Sequence, residues 1–219
     1  MKANSIIQKI IDGNNEFVEK HDKNYFDSHG DSQHPFITLV SCSDSRVQPD
    51  VLLPDAINKI FEIENIGNQI LSGEGSVDYG VLHLKTPVLM VLGHSDCGAI
   101  KALMAGYENE PESIKNELDN LKPALLSAGS KDDFEKALVG NIRKNVDFQI
   151  NVAVGKYRDL IKEEKLTAIG AFYDFKNDFG KGRGKLLIMN VNGKTDENKI
   201  KNSHVFEDVR EEDIIVRRV

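Results

Sequence analysis

The chain has 219 residues, which is the length of one domain or two small ones and is enough to bury a sizeable core. Its net charge of −7 gives no support to a nucleic-acid partner, and we expect none. No apolar run approaches the ~20 residues that a membrane-spanning helix needs, so we also expect no membrane partner. The polar N-terminus lacks a signal-peptide pattern and two cysteines make no disulfide framework, which together predict a cytoplasmic location.

Residues 4–20 predict an amphipathic helix, because apolar side chains recur there at helical spacing. Residues 21–34 are polar and contain three histidines, which we interpret as a solvated loop and not as a ligand set. The apolar positions of the helix are Ile6, Ile7, Ile10, Ile11, Phe17 and Val18.

Short apolar runs and helical patterns alternate beyond residue 35. Strands are predicted at 36–41, 60–63, 88–92, 166–175 and 185–191. Helices are predicted at 49–53, 76–85, 99–105 and 134–154. Short surface helices and turns are predicted within 107–131, and residues 205–219 match no element.

This alternation predicts an α/β fold, with a mainly parallel central sheet and helices on both of its faces. Binding sites in such sheets lie at the carboxyl ends of the strands. Two polar loops fall at strand ends, one over residues 42–46 and one over residues 94–97. We therefore expect these loops to converge, although they are far apart in the sequence.

The two loops carry the side chains that zinc prefers. Cys42 and Cys97 supply thiolates, His94 supplies an imidazole, and Asp44 is the uncertain fourth ligand. Because the ligands come from separate strands, we predict one zinc ion per chain, held on a scaffold that is already folded, as in catalytic sites. Arg46 can hold the Asp44 carboxylate bidentately and away from the metal, which leaves the fourth position to water.

The sequences CSDSRV (residues 42–47) and GHSDCG (93–98) resemble the two zinc loops of the β-class carbonic anhydrases. The intervening NIGN (65–68) and YGVLHL (79–84) fit the same family, and the resemblance is strong over about residues 30–105. It implies one zinc domain over residues 1–219, with an antiparallel strand added to the parallel sheet. Residues 1–30 would form an N-terminal helical arm that is exchanged in a homodimer or a dimer of dimers.

The resemblance also implies the reaction, which is reversible hydration of CO₂ to bicarbonate and a proton. A zinc-bound hydroxide would attack CO₂, and the Asp44–Arg46 pair would gate access to the metal. Gln33 and the backbone N–H of Gly98 would bind substrate, and Tyr79 would line the substrate pocket across a dimer interface. Glu64 departs from the family, which usually has arginine there, and the chain has no tryptophan; both facts argue against the family's second bicarbonate pocket.

Two alternatives stay open. The same fold and metal could hydrolyse carbonyl sulfide or carbon disulfide, which offer a similar electrophilic carbon. The chain could also be a non-catalytic zinc-binding relative of the enzyme. The sequence CSDSR favours CO₂, and the presence of both Asp44 and Arg46 argues against a loss of catalysis.

Overall fold

The computed structural model describes residues 2–124 and 134–210, so our predictions for 125–131 and 211–219 lie outside the described residues. The chain divides into two compact units, Met1–His34 and Pro35–Val219. Each helix in the described parts is too short or too polar to cross a lipid bilayer.

The first unit consists of two helices, α1 (Ala3–Lys20) and α2 (Lys23–His29). Helix α1 confirms the predicted amphipathic helix, and it buries none of its residues. Its apolar stripe is therefore exposed, with large side chains at Ile6, Ile7, Ile10, Ile11 and Val18.

Helix α2 replaces part of the loop that we predicted over residues 21–34, and that prediction was wrong there. Asp22 caps the helix by accepting a hydrogen bond from the backbone N–H of Tyr25 at 2.9 Å. The rings of His21 and Tyr25 lie 4.0 Å apart, and those of Tyr25 and His29 lie 4.7 Å apart. Ring contacts at a spacing of four residues stabilise this part of the chain, whereas the sequence pattern marks only aliphatic periodicity.

The second unit is built on a five-stranded sheet in the order β2-β1-β3-β4-β5. The first four strands in this order pair in parallel, and β4 pairs antiparallel with β5. This confirms the predicted mainly parallel sheet with one added antiparallel strand. The strands are β1 (Ile37–Cys42), β2 (Ile60–Asn65), β3 (Val88–His94), β4 (Thr167–Asp174) and β5 (Lys185–Val191).

Six described helices accompany the sheet. They are α3 (Glu74–Asp78), α4 (Gly98–Ala105), α5 (Glu112–Asp119), α6 (Phe134–Lys156), α7 (Arg158–Lys162) and α8 (Glu197–Lys201). Single 3₁₀ turns at Pro49–Val51, Leu71–Gly73, Lys122–Ala124 and His204–Phe206 connect them.

The helix predicted at 76–85 begins earlier and then widens. Helix α3 ends at Asp78, and the chain continues as a π turn over Tyr79–His83, where the N–H of Leu84 donates to the carbonyl of Tyr79 at 2.9 Å. Gly80 packs directly on the Thr38 side chain, so a side chain at this position would collide with β1. The wider turn accommodates this close approach.

Helix α6 is the main helix packed on the sheet, against β3, β4 and β5. The predicted stripe with a spacing of four is buried at Leu138, Ile142, Val146 and Ile150. The same helix also buries three polar side chains, Asn141, Asn145 and Gln149, which the apolar pattern did not reveal.

Close packing of α6 on β4 predicts that alanine substitutions at two glycines will change the stability of the protein in opposite directions. A Cβ at Gly170 would lie 2.7 Å from Val146 and 3.0 Å from Ile150, whereas one at Gly140 on α6 would meet nothing within 4 Å. We expect Gly170→Ala to lower the free energy of unfolding by ~1–3 kcal/mol through overpacking. Gly140→Ala, the matched control, should raise it by ~0.5–1 kcal/mol through helix propensity.

Urea unfolding of both variants and the parent chain measures the two changes. Equal stability of Gly170→Ala and the parent chain would show that the contact between α6 and β4 is loose.

Candidate metal centre

The carboxyl ends of β1 and β3 bring the two predicted loops together. These strands are parallel neighbours, with Val40 opposite Val91, and they end at Cys42 and His94. The ligand atoms of Cys42, His94 and Cys97 all lie within 4.8 Å of one another, and the three residues are buried. The structure thus shows a Cys–His–Cys cluster that is able to hold a metal ion.

The imidazole of His94 is oriented for metal binding. Its Nδ1 lies 2.8 Å from the carbonyl oxygen of Ser95, which can only accept, so Nδ1 carries the proton. The other nitrogen, Nε2, is then an acceptor, and it is buried without a hydrogen-bond partner among the described residues. An unsatisfied buried acceptor costs ~1–3 kcal/mol, and a metal ion would satisfy it.

Backbone N–H groups donate hydrogen bonds to both sulfurs, but the pKa values of the two thiols shift in opposite directions. The N–H of Gly67 donates to Cys42, and two N–H groups at the start of α4 donate to Cys97. A hydrogen bond from Cys97 is the main cause that lowers the pKa of Cys42 to about 4, with a further contribution from the backbone N–H of Gly67. The pKa of Cys97 is raised well above its ordinary value, because this thiol donates to Cys42 and is buried. Without a metal, one proton is therefore retained between the two sulfurs.

The Asp44 carboxylate is turned toward Arg46 and does not join the cluster that the described residues form. Arg46 donates from Nε to Oδ1 at 2.8 Å and from Nη2 to Oδ2 at 2.6 Å, and its backbone N–H donates to Oδ1 at 3.0 Å. These hydrogen bonds lower the pKa of Asp44 to about 2. The bidentate arrangement agrees with the geometry expected from the sequence.

Two further residues hold Arg46 and were not singled out from the sequence. Asp96, in the second loop, accepts from Arg46 Nη1 at 3.1 Å and also pairs with Lys101. Phe175, directly after β4, places its ring centroid 4.7 Å from Arg46 Cζ. Asp96 lies inside the GHSDCG motif, so the sequence could have marked it as a residue of the site. Phe175 comes close to Arg46 only through the tertiary fold, which the sequence pattern does not reveal.

Three further residues, Gly98, Tyr79 and Gln33, were expected from the sequence to bind substrate. Gly98 begins α4 directly after Cys97, and a Cβ there would meet nothing within 4 Å. Tyr79 lies on the π turn, 43% exposed, with its ring 5.7 Å from that of Phe61. Gln33 belongs to the first unit and is exposed. The substrate-binding roles of these three residues stay predictions.

A family model described as "Carbonic anhydrase" matches residues 37–182. A carbonic anhydrase of Synechocystis sp. is 37% identical over 112 residues, which are 45% of this chain and 39% of that protein. Beta carbonic anhydrase 3 of Arabidopsis thaliana is 29% identical over 170 residues, which are 68% of this chain and 65% of that protein. The chain thus spans less than two thirds of the length of these curated relatives.

Solved structures share the fold at lower identity. A tetrameric β-carbonic anhydrase of the ascomycete Sordaria macrospora has a TM-score of 0.72 at 22% identity, covering 85% of this chain and 98% of that one. The Coccomyxa β-carbonic anhydrase in complex with acetazolamide has a TM-score of 0.70 at 22% identity, covering 90% of each chain. Since the family model matches more than half of the sequence and these structures share its sheet, the chain belongs to the β-class carbonic anhydrase family.

Proposed function

We propose that the protein is a zinc-dependent carbonic anhydrase that interconverts CO₂ and bicarbonate. The observation that carries this proposal is the buried Cys–His–Cys cluster, with its unpaired His94 Nε2, beside a carboxylate held bidentately by Arg46. One zinc ion per chain would be held by Cys42, His94 and Cys97. Bound zinc supplies the Lewis acidity that lets water attack the carbon of CO₂ near neutral pH.

Asp44 and Arg46 control the space beside the cluster. Because the two-point hydrogen bond to Arg46 keeps the Asp44 carboxylate ionised, Asp44 can accept a hydrogen bond from the attacking water and orient its lone pair toward CO₂. The same hydrogen bonds keep this carboxylate from acting as a metal ligand. The proton released in the reaction passes to solvent buffer.

The backbone N–H of Gly98 donates to a substrate oxygen in this proposal. Its place after Cys97, with no side chain filling the adjacent space, supports the assignment. Gln33 would donate a second hydrogen bond to substrate, and Tyr79 would line the apolar side of the pocket in a partner subunit.

We further propose one zinc domain over residues 1–219 with residues 1–30 as an arm, working in the cytoplasm as a homodimer or a dimer of dimers. The exposed isoleucines of α1 support association, since such apolar faces mark interaction sites. The second unit also exposes large apolar side chains, which are Phe36, Ile57, Ile66, Leu71, Tyr79, Leu82 and Val209.

The role of Asp44 predicts a variant that separates catalysis from metal binding. Asp44→Ala should retain one zinc per chain and lose CO₂ hydration by ~10²–10⁴-fold, because no carboxylate remains to orient the attacking water. Metal analysis and a stopped-flow CO₂ hydration assay measure these two properties. Asp208→Ala, which removes an exposed carboxylate elsewhere, should behave as the parent chain.

Normal hydration by Asp44→Ala would contradict the proposed gate. A zinc-loaded parent chain that does not hydrate CO₂ would contradict the proposed function, and the same preparation assayed with carbonyl sulfide would then test the alternative substrate.

The shared proton of the two thiols predicts how zinc affinity depends on pH. Because the pKa of Cys42 is lowered and that of Cys97 is raised, zinc binding near neutral pH should displace one proton from the pair of thiols. Lower pH opposes this release, and the affinity should therefore rise about tenfold per pH unit between about pH 7 and pH 9.

Competition with a chelator, combined with calorimetric proton counting in two buffers, measures this slope. A rise of about a hundredfold per pH unit would mean that two protons leave and that Cys42 is a thiol in the metal-free chain.

A further inference from the structure

The loop over residues 65–70 follows β2 beside the metal centre. Asn65, which ends β2, lies opposite Cys42 in the parallel pairing of β1 with β2. The Asn65 side chain closes the loop on itself, since its Oδ1 accepts from the N–H of Gln69 and its Nδ2 donates to the carbonyl of Gln69, both at 2.7 Å. The loop is therefore an ordered segment that begins next to a thiol of the cluster.

Gly67 is the point at which this loop contacts the cluster. Its N–H donates to the sulfur of Cys42. Its φ of 84° is one that side chains rarely adopt, and an added Cβ would collide with Leu121 and lie 3.5 Å from Ala99. Because glycine adopts positive and negative φ about equally readily, other contacts must hold the peptide groups of Gly67 in place.

Helix α6 supplies those contacts. Nδ2 of Asn145 donates to the carbonyl of Gly67 at 2.9 Å, and Nε2 of Gln149 donates to Oδ1 of Asn145 at 3.2 Å. The N–H of Ile70 in turn donates to Oε1 of Gln149 at 2.9 Å. Asn145 is fully buried and Gln149 is 2% exposed, so these hydrogen bonds do not compete with water.

We propose that Asn145 is a positioning residue for the metal centre, holding Gly67 so that its N–H is aimed at the sulfur of Cys42. Hydrogen bonds to ligand atoms from outside the coordination shell orient those ligands and set how strongly they bind the metal. This inference rests on the proposed zinc site and adds to it a residue that contacts neither metal nor substrate.

The test removes the Nδ2 donor of Asn145 in two ways. Asn145→Asp exchanges Nδ2 for an oxygen, and Asn145→Ala removes the amide without adding a charge. We expect either variant to lose zinc affinity by ~10–100-fold in chelator competition. The thiolate-to-metal absorption band of the Co²⁺-loaded protein should shift as well, because Cys42 loses an oriented donor.

Asn190→Ala is the matched control. Asn190 is also buried, and its Nδ2 donates to Oδ1 of Asp147 on α6 at 2.7 Å, not to the loop over residues 65–70. It should lower the free energy of unfolding by a similar amount while leaving zinc affinity and the Co²⁺ band unchanged. An equal loss of affinity in this control would show that general loosening of α6 explains the effect and would overturn the proposal.

A measurement on the parent chain does not depend on whether the variants fold. Loaded with an NMR-active cadmium isotope, the protein should show scalar coupling between the metal and the amide proton of Gly67, carried through the N–H···S hydrogen bond. Absence of this coupling, or unchanged zinc affinity in a folded Asn145 variant, would overturn the inference. Failure of the parent chain to bind metal would instead contradict the proposed zinc site.

Discussion

Parallel pairing of β1 with β3 is the constraint on which the rest of this molecule depends. The pairing places Cys42 and His94 together at the carboxyl ends of the two strands, and the short turn after β3 returns Cys97 to the same place. Both strands are interior to the sheet, with β2 and β4 as their other neighbours. The cluster therefore inherits its geometry from the part of the fold where backbone hydrogen bonds are most completely satisfied.

The polar groups around the cluster divide into two sets with different physical roles. Arg46, Asp44 and Asp96 are partly exposed, and surface ion pairs of this kind contribute only ~0–1 kcal/mol each to stability. Their importance lies in orientation, since one guanidinium links the two loops and turns a carboxylate away from the sulfurs. Asn145 and Gln149 are buried, and there an unmade hydrogen bond would cost more, so these amides also stabilise the fold.

The sequence predicted the sheet and the cluster because both depend on local patterns. An apolar run followed by a polar loop identifies a strand end, and the parallel sheet then determines which strand ends meet. Helix α2 was missed because contacts between the rings of His21, Tyr25 and His29 stabilise it, and these leave no aliphatic periodicity. Asn145 was missed because a polar residue within an amphipathic pattern is normally assigned to the solvent side. Phe175 approaches Arg46 only through the pairing of β3 with β4, which no local pattern specifies.

The order of the strands has a consequence for the metal-free form of the protein. In a small zinc finger the free energy of metal binding is what stabilises the folded chain, so chelation of the metal unfolds it. Here Cys42 and His94 are anchored on interior strands, Cys97 follows in the short turn after β3, and the loops are closed by their own hydrogen bonds. The metal-free chain should therefore already be a folded, preorganised receptor, and metal loading should be a binding event instead of a refolding event.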